Sequence, residues 1–184
     1  MIDPAGLAAD PRLTDGLVRL RPWRSTDATA VFLACQDPRI AQFVPIPQPY
    51  TMAIAEGYVA FAAAATSSGP DVHLAITNAS DDAVLGAISR HGGDAHRAWF
   101  GYWLAPGARG RGLATRALRL LVDWTLATTD VIRVELYTDP DNDASGRVAL
   151  RAGFALEGVR RAWDIGRDGR PIDSVFYVRV REPR

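Results

Sequence analysis

The chain contains no lysine: all 21 of its basic residues are arginine. That absence excludes a Schiff-base lysine for pyridoxal phosphate and the phosphate-gripping lysine of a nucleotide-binding P-loop. Cysteine is almost absent. Cys35 stands alone, so an intrachain disulfide and a thiolate metal cluster are both excluded. Its Ala-rich, helix-like surroundings suit a core residue better than a nucleophile. Neither sign of charge is in excess, because 21 acidic residues cancel 21 basic ones, and no basic block is present. DNA and RNA therefore have little electrostatic reason to bind. No apolar run approaches the roughly 18–20 residues that span a bilayer. The first residues carry neither the basic nor the apolar region of a secretory signal. The expected location is cytoplasmic, with no membrane partner. What is present is ordinary: 184 residues, 48% apolar and 23% charged, suit one domain with a real core.

Residues 1–15 hold Pro, Gly and Asp without periodicity and read as a loose arm, with residues 16–184 as a single domain. Leu17–Arg21 alternates and predicts a strand stopped by Pro22. Ser25 or Thr26 suits an N-cap for a helix to Cys35, and Asp37-Pro38 opens a second, short helix. Phe43–Tyr50 carries three prolines and reads as a stiff loop, after which Thr51 caps an Ala-rich helix to about Thr66. Asp71–Asn78, Ala83–Arg90 and Ala98–Leu104 predict strands. The last is apolar on both faces and suits a sheet centre. Helix follows to about Ala127, with Leu113, Ala117, Leu120, Leu121 and Trp124 on one face. Val131–Thr138 is a strand with Ile132, Val134 and Leu136 on one side. Asn142 caps a helix ending near Gly153, and Phe154–Ile165 with Ile172–Val180 forms a closing hairpin. This order is mixed α/β with an antiparallel start, not a regular doubly wound sheet.

Arg109-Gly110-Arg111-Gly112-Leu113-Ala114 lies between a buried strand and an amphipathic helix. The free amides of a first helical turn point along its axis, and the dipole adds partial positive charge. Gly110 and Gly112 allow a tight turn and a close anion, and two arginines add charge-assisted donors. The construction is a phosphate cradle, although glycines before a helix also serve as plain turn residues. A dinucleotide fingerprint fits poorly. Thr115 occupies the third glycine position, and the acidic candidate Glu135 sits inside a strand instead of ending one.

These residues resemble the GNAT superfamily of acyl-CoA-dependent N-acyltransferases. Its pyrophosphate motif is matched by Arg109, Gly112 and Ala114. Gly101–Pro106 resembles its fourth strand and Asn142–Phe154 its second CoA segment. Glu157–Arg161 and Asp168-Gly169-Arg170 with Asp173 resemble the RimJ/RimL branch, which includes ribosomal-protein N-terminal acetyltransferases. The likeness runs from about Leu17 to Val180. It implies a mixed, mostly antiparallel sheet whose central fourth and fifth strands splay apart, flanked by helices. It also implies acetyl-CoA as co-substrate, a primary amine as acceptor and no metal; dimers are common in the family.

The same resemblance assigns roles. Pantetheine lies along the backbone of Tyr102, Trp103 and Leu104. The pyrophosphate sits on the amides from Arg111 through Gly112, Leu113 and Ala114 to Thr115, with Gly110 giving room. The Leu104 amide steadies the oxyanion. The tyrosine acid that many relatives carry on the last helix is replaced by Ala149, and Ser145 matches the serine of the RimL-like branch. A local first-turn hydrogen bond is the alternative role for Ser145. Asn142 contacts pantetheine amides, caps its helix, or does both. A base is harder to place. His91, Asp94 and His96 cluster before the fourth strand, where a polar hairpin turn explains them as well. An α-amine of pKa about 7.8 costs only about 1 kcal/mol to deprotonate at neutral pH, against about 4.6 for a lysine side chain, which leans toward an α-amine acceptor. The Phe43–Tyr50 loop, Trp163, Asp164 and Asp173 are candidates for the acceptor side. A CoA-binding module without turnover, a succinyl-CoA-dependent enzyme and a nicotinamide oxidoreductase are the alternatives.

Overall fold

The computed structural model describes residues 10–68 and 71–181. Among these residues seven strands pair into one sheet: β1 (Val18–Pro22), β2 (Val72–Asn78), β3 (Val84–Asp94), β4 (Arg97–Leu104), β5 (Arg133–Thr138), β6 (Ala155–Ile165) and β7 (Pro171–Val180). Their spatial order is β1-β2-β3-β4-β5-β7-β6. Every neighbouring pair is antiparallel except β4 and β5. β4 lies at the centre, as its two apolar faces require.

Five α-helices cover the sheet: α1 (Ala28–Ala34), α2 (Pro38–Phe43), α3 (Met52–Ser68), α4 (Leu113–Thr128) and α5 (Asp143–Arg151). One face packs Leu74, Ile76, Ile88, Phe100, Val134 and Leu136 under α4 and α5. The other packs Ala75 and Ala87 under α1 to α3, around Val31, Ile40 and Val59. The result is three layers, helix on sheet on helix. Leu118 and Leu121 of α4 are fully buried, and each such side chain stabilises the layer contact by about 1.5–3 kcal/mol. No helix among the described residues is long and apolar enough to cross a membrane.

The helix starts follow local chemistry. Asp37 accepts from the Arg39 and Ile40 amides at 3.0 and 3.1 Å and caps α2, with Pro38 at its first position. Thr51 Oγ1 accepts from the Ile54 amide, and Asn142 Oδ1 accepts from the Ser145 amide at 3.2 Å. Ser25 and Thr26 do not cap α1; they form a 3₁₀ turn, Ser25–Asp27, and α1 begins at Ala28. The turn is closed by Asp27, whose carboxylate accepts from the Arg24 amide at 2.8 Å.

Three further expectations are corrected. Of the loose arm 1–15, residues 1–9 lie outside the described residues, but residues 10–15 pack on α4. Leu13 is buried, Asp10 accepts from Trp124 Nε1 at 3.0 Å, and Asp15 pairs with Arg116 at 2.7 Å. β3 runs to Asp94 instead of Arg90, so His91 is a strand residue. Ile132 does not share a buried face with Val134 and Leu136. It is exposed, because the Ile132 and Arg133 amides both donate to the His96 carbonyl and break the alternation before β5 begins.

Candidate active site

β4 and β5 touch only at their beginnings. They pair through Arg97–Arg133, Ala98–Val134 and Trp99–Glu135. From Phe100 onward β4 keeps β3 on one edge, while β5 turns to β7. The Ala105 amide donates to Leu85 O of the β3 side at 2.8 Å. Successive strand residues turn their peptide groups to opposite edges, so Tyr102 and Leu104 present theirs to the open gap and Trp103 faces β3. The Leu104 amide, expected as an oxyanion donor, thus points into the splay. Its carbonyl accepts from Arg109 Nε at 3.2 Å.

The glycine-rich loop stands at the start of α4. Gly110 and Gly112 have φ of 75° and 73°, a left-handed conformation that favours glycine. Gly112 is the N-cap and supplies no side chain, and the Arg116 amide is the first to reach its carbonyl. The Leu113, Ala114 and Thr115 amides therefore lack an intrahelical acceptor. A Cβ built on Gly110 or Gly112 meets nothing within 4 Å, so the space beside these two glycines is open. Arg111 is exposed beside it. Arg109 is engaged elsewhere, pairing with Asp37 at 2.9 Å and so tying the loop to the cap of α2.

That pair has a pH signature. The Arg109 guanidinium holds the Asp37 carboxyl below the usual range, against desolvation and with help from the Ile40 and Arg39 amides. A depressed carboxylate stabilises the fold above its unfolded value of about 3.9, and the contribution is lost as pH falls through the lower folded value. Asp37→Asn keeps the helix cap and loses the charge. Thermal melts are expected to show a deficit of about 1 kcal/mol at neutral pH that closes as pH falls below the ordinary carboxylate range.

Ser145 stands in the first turn of α5, across the gap from β4. Its Oγ lies 2.8 Å from Tyr102 Oη, which also donates to the Ser145 carbonyl at 3.2 Å. Burial pushes the Tyr102 hydroxyl up to about 12, against the Ser145 hydrogen bond. Ala149 is fully buried in the core. The Tyr102 hydroxyl reaches Ser145 from β4, a contact that reading Tyr102 for its backbone alone overlooked.

Beyond the splay opens a cleft of about 1220 Å³, whose walls include Val44–Pro47, Trp99, Trp103, Tyr137, Asn142, Ser145 and Trp163. The glycine loop is not part of these walls and lies on exposed surface. The Pro-rich loop is held over the cleft by Arg167, whose Nη2 donates to Val44 O and Ile46 O at 3.0 Å. Trp163 meets Tyr137 and Phe176 edge-on, and Arg160 lies over both Trp163 and Phe176. Asp164 lines the cleft, whereas Asp173 does not. Its carboxylate accepts from the Ala162 amide at 2.9 Å and shapes a bulge in β6.

The three polar residues before β4 divide. His96 pairs with Asp94 at 2.9 Å in the β3–β4 turn. His91 lies on the cleft floor with Ser89, next to His73. Ser89 and His73 carry no local signal; they meet His91 only because β2, β3 and β4 pair in this register. Glu135, the acidic candidate for a dinucleotide, is buried mid-strand and bonded to Arg133.

Residues 18–155 match the Acetyltransferase (GNAT) domain, more than half of the chain. The chain is 36% identical over 94 residues to the probable N-acetyltransferase YjcK of Bacillus subtilis, covering 50% of this chain and 52% of that protein. It is 34% identical over 80 residues to the ribosomal-protein-serine acetyltransferase of Escherichia coli, 44% of each chain. The chain therefore spans about half the length of these relatives. Among solved structures, RimL, described as a ribosomal L7/L12 alpha-N-protein acetyltransferase in complex with coenzyme A, superposes with a TM-score of 0.80. Its identity is 22%, over 92% of this chain and 96% of that one. A domain match across the splayed strands, together with this shared fold, establishes that the chain belongs to the GNAT family of N-acetyltransferases.

Proposed function

We propose that the chain transfers an acetyl group from acetyl-CoA to a primary amine, with a protein N-terminal α-amine as the favoured acceptor class. The observation that carries this reading is the parting of β4 and β5 beside the uncapped start of α4. Three backbone amides without intrahelical acceptors suit a diphosphate, and the open edge of β4 suits an extended amide-bearing arm. RimL is described as acting on a protein α-amine and the Escherichia coli relative on a ribosomal protein, which supports the same class here.

Acetyl-CoA supplies an activated thioester carbonyl; the residues of the chain do the rest. The amine nitrogen bonds the carbonyl carbon, the Leu104 N–H stabilises the developing oxyanion, and the C–S bond breaks with its electron pair on sulfur. Ser145 and Tyr102 stand at the sulfur end. Tyr102, whose hydroxyl lies 2.8 Å from Ser145 Oγ, holds the Ser145 hydroxyl in place to donate a hydrogen bond to the departing thiolate, which takes its proton from water. Ser145→Ala is expected to lower kcat about 10–100-fold while leaving coenzyme A affinity within about threefold. Unchanged turnover would remove Ser145 from the reaction.

The test is free-thiol release from acetyl-CoA with four probes: peptides with N-terminal serine or alanine, spermidine and a free amino acid. Turnover with the peptides above the others is expected. Coenzyme A binding without thiol release on any probe would leave a binding module in place of an enzyme.

A further inference from the structure

Beneath Gly101 the cleft floor holds polar side chains that the transfer reaction above leaves unused. β3 runs antiparallel to β4, with Ser89 opposite Gly101 and His91 opposite Trp99. A Cβ at position 101 would meet only Ser89 Oγ, at 3.6 Å. Glycine there uncovers the serine from the β4 side. The Ser89 hydroxyl lies 2.9 Å from His91 Nε2 and 3.4 Å from the Gly101 carbonyl. Across the ring, His91 Nδ1 faces Asp71 Oδ2 at 3.5 Å. Asp71 is itself oriented, because its Oδ1 accepts from the Gly92 amide at 2.8 Å.

The geometry points to Ser89, His91 and Asp71 as the chain that takes the proton from the acceptor amine. This rests on the transferase reading and supplies the base that reading lacks. When the amine lone pair bonds the acetyl carbon, the nitrogen becomes cationic and must lose a proton. That proton passes to Ser89 Oγ as the serine's own proton passes to Nε2 of neutral His91. The imidazolium is stabilised by the Asp71 carboxylate beside Nδ1, as a carboxylate orients the base in other proton-transfer triads. His91 is 44% exposed and returns the proton to water.

The surroundings fit the role. The charged and titratable groups facing His91 are Asp71, just before β2, and His73 of β2, with Arg90 beside it in β3 feeling the Asp71 charge. His73 is only 6% exposed, and its ring meets Phe61 of α3 edge-on. Burial, then the nearness of His91, lowers its basicity. The Asp71 carboxylate opposes this in part, and His73 ends less basic than a free imidazole. His96, the other candidate, pairs with Asp94 in the turn and does not line the cleft.

The experiment follows thiol release against pH with the best of the four amine probes. His91→Gln is expected to lower kcat/KM for the amine about 100-fold or more, with coenzyme A affinity within about twofold. The limb of the wild-type profile in the histidine range of about pH 5–8 is expected to vanish in His91→Gln. In Asp71→Asn it should move to lower pH, because losing the negative neighbour disfavours imidazolium. Added imidazole is expected to restore part of the rate to His91→Ala, which a merely structural histidine would not allow. Ser89→Ala should lose most of the rate and Ser89→Thr regain part of it. The relay is overturned if His91→Gln keeps the wild-type rate and limb. It is overturned if mass spectrometry finds acetyl on Ser89, which would make the serine a nucleophile. Turnover lost in a chelator and restored by zinc would also overturn it. A wild-type chain that binds coenzyme A but turns over no amine overturns the transferase reading and the relay together, whereas failure of His91→Gln to slow an active enzyme overturns the relay alone.

Discussion

Gly112→Trp is expected to weaken coenzyme A binding at least 100-fold. The position is the N-cap of α4, with φ of 73° and open space where a side chain would stand. An indole there covers the Leu113, Ala114 and Thr115 amides that would hold the diphosphate. Hydrogen bonds to charged groups contribute about 1.5–3 kcal/mol each, so losing two of them exceeds a hundredfold in affinity. Backbone strain separately lowers stability, since a non-glycine residue in the left-handed region costs about 1–2 kcal/mol. Gly112→Ala separates the two effects. It carries the same strain, but its Cβ meets nothing within 4 Å, so it should lose stability while holding coenzyme A within about tenfold. Calorimetric titration of both variants decides the matter. Wild-type affinity in Gly112→Trp would remove the loop from the binding site.

The second large effect concerns stability. Arg21 and Asp27 are only 4% and 6% exposed. Their two parallel hydrogen bonds, of 2.8 and 2.9 Å, join β1 to the turn before α1. Arg21 Nε also reaches Asp82 at 3.0 Å in the β2–β3 turn, and Nη1 reaches the Pro22 carbonyl. Asp27→Ala leaves a buried guanidinium short of its main partner. Such a break costs about 3–5 kcal/mol, a large share of the roughly 5–15 kcal/mol that holds a domain together. For a chain of this length each kcal/mol shifts Tm by about 2–4 °C, so a loss of about 6–20 °C is expected by calorimetry. Two controls bracket the result. Arg24→Ala removes the exposed partner of Asp82 and should cost under about 1 kcal/mol. Arg21→Met with Asp27→Leu replaces both charges with apolar volume and should recover most of the loss. A Tm change below about 3 °C in Asp27→Ala would show that the pair is not a buried strut.

Features built from neighbouring residues were legible in advance. Asp37-Pro38, Thr51 and Asn142 open their helices as read, because a cap needs only a side chain two or three residues from the amides it serves. The turn of Gly110 and Gly112 into α4 was legible for the same reason. Other readings failed where a distant group intervened. Ser25 did not cap α1, because Asp27 closes that turn while held by Arg21. Ile132 left the buried face because one carbonyl, that of His96, takes two successive amides.

The sequence by itself determined the element order, the glycine turn into α4 and the family resemblance, since each rests on short stretches of neighbouring residues. Only the tertiary structure decided which side chains share the cleft floor. Ser89 faces Gly101 and His91 faces Trp99 through a β3–β4 register, Asp71 arrives just before β2 and His73 on it, and Tyr102 meets Ser145 across 43 residues of chain. A one-residue slip of any of these strands would turn its side chains to the opposite face. Register is fixed by the packing of the whole sheet between two helical layers, which no local stretch of sequence records.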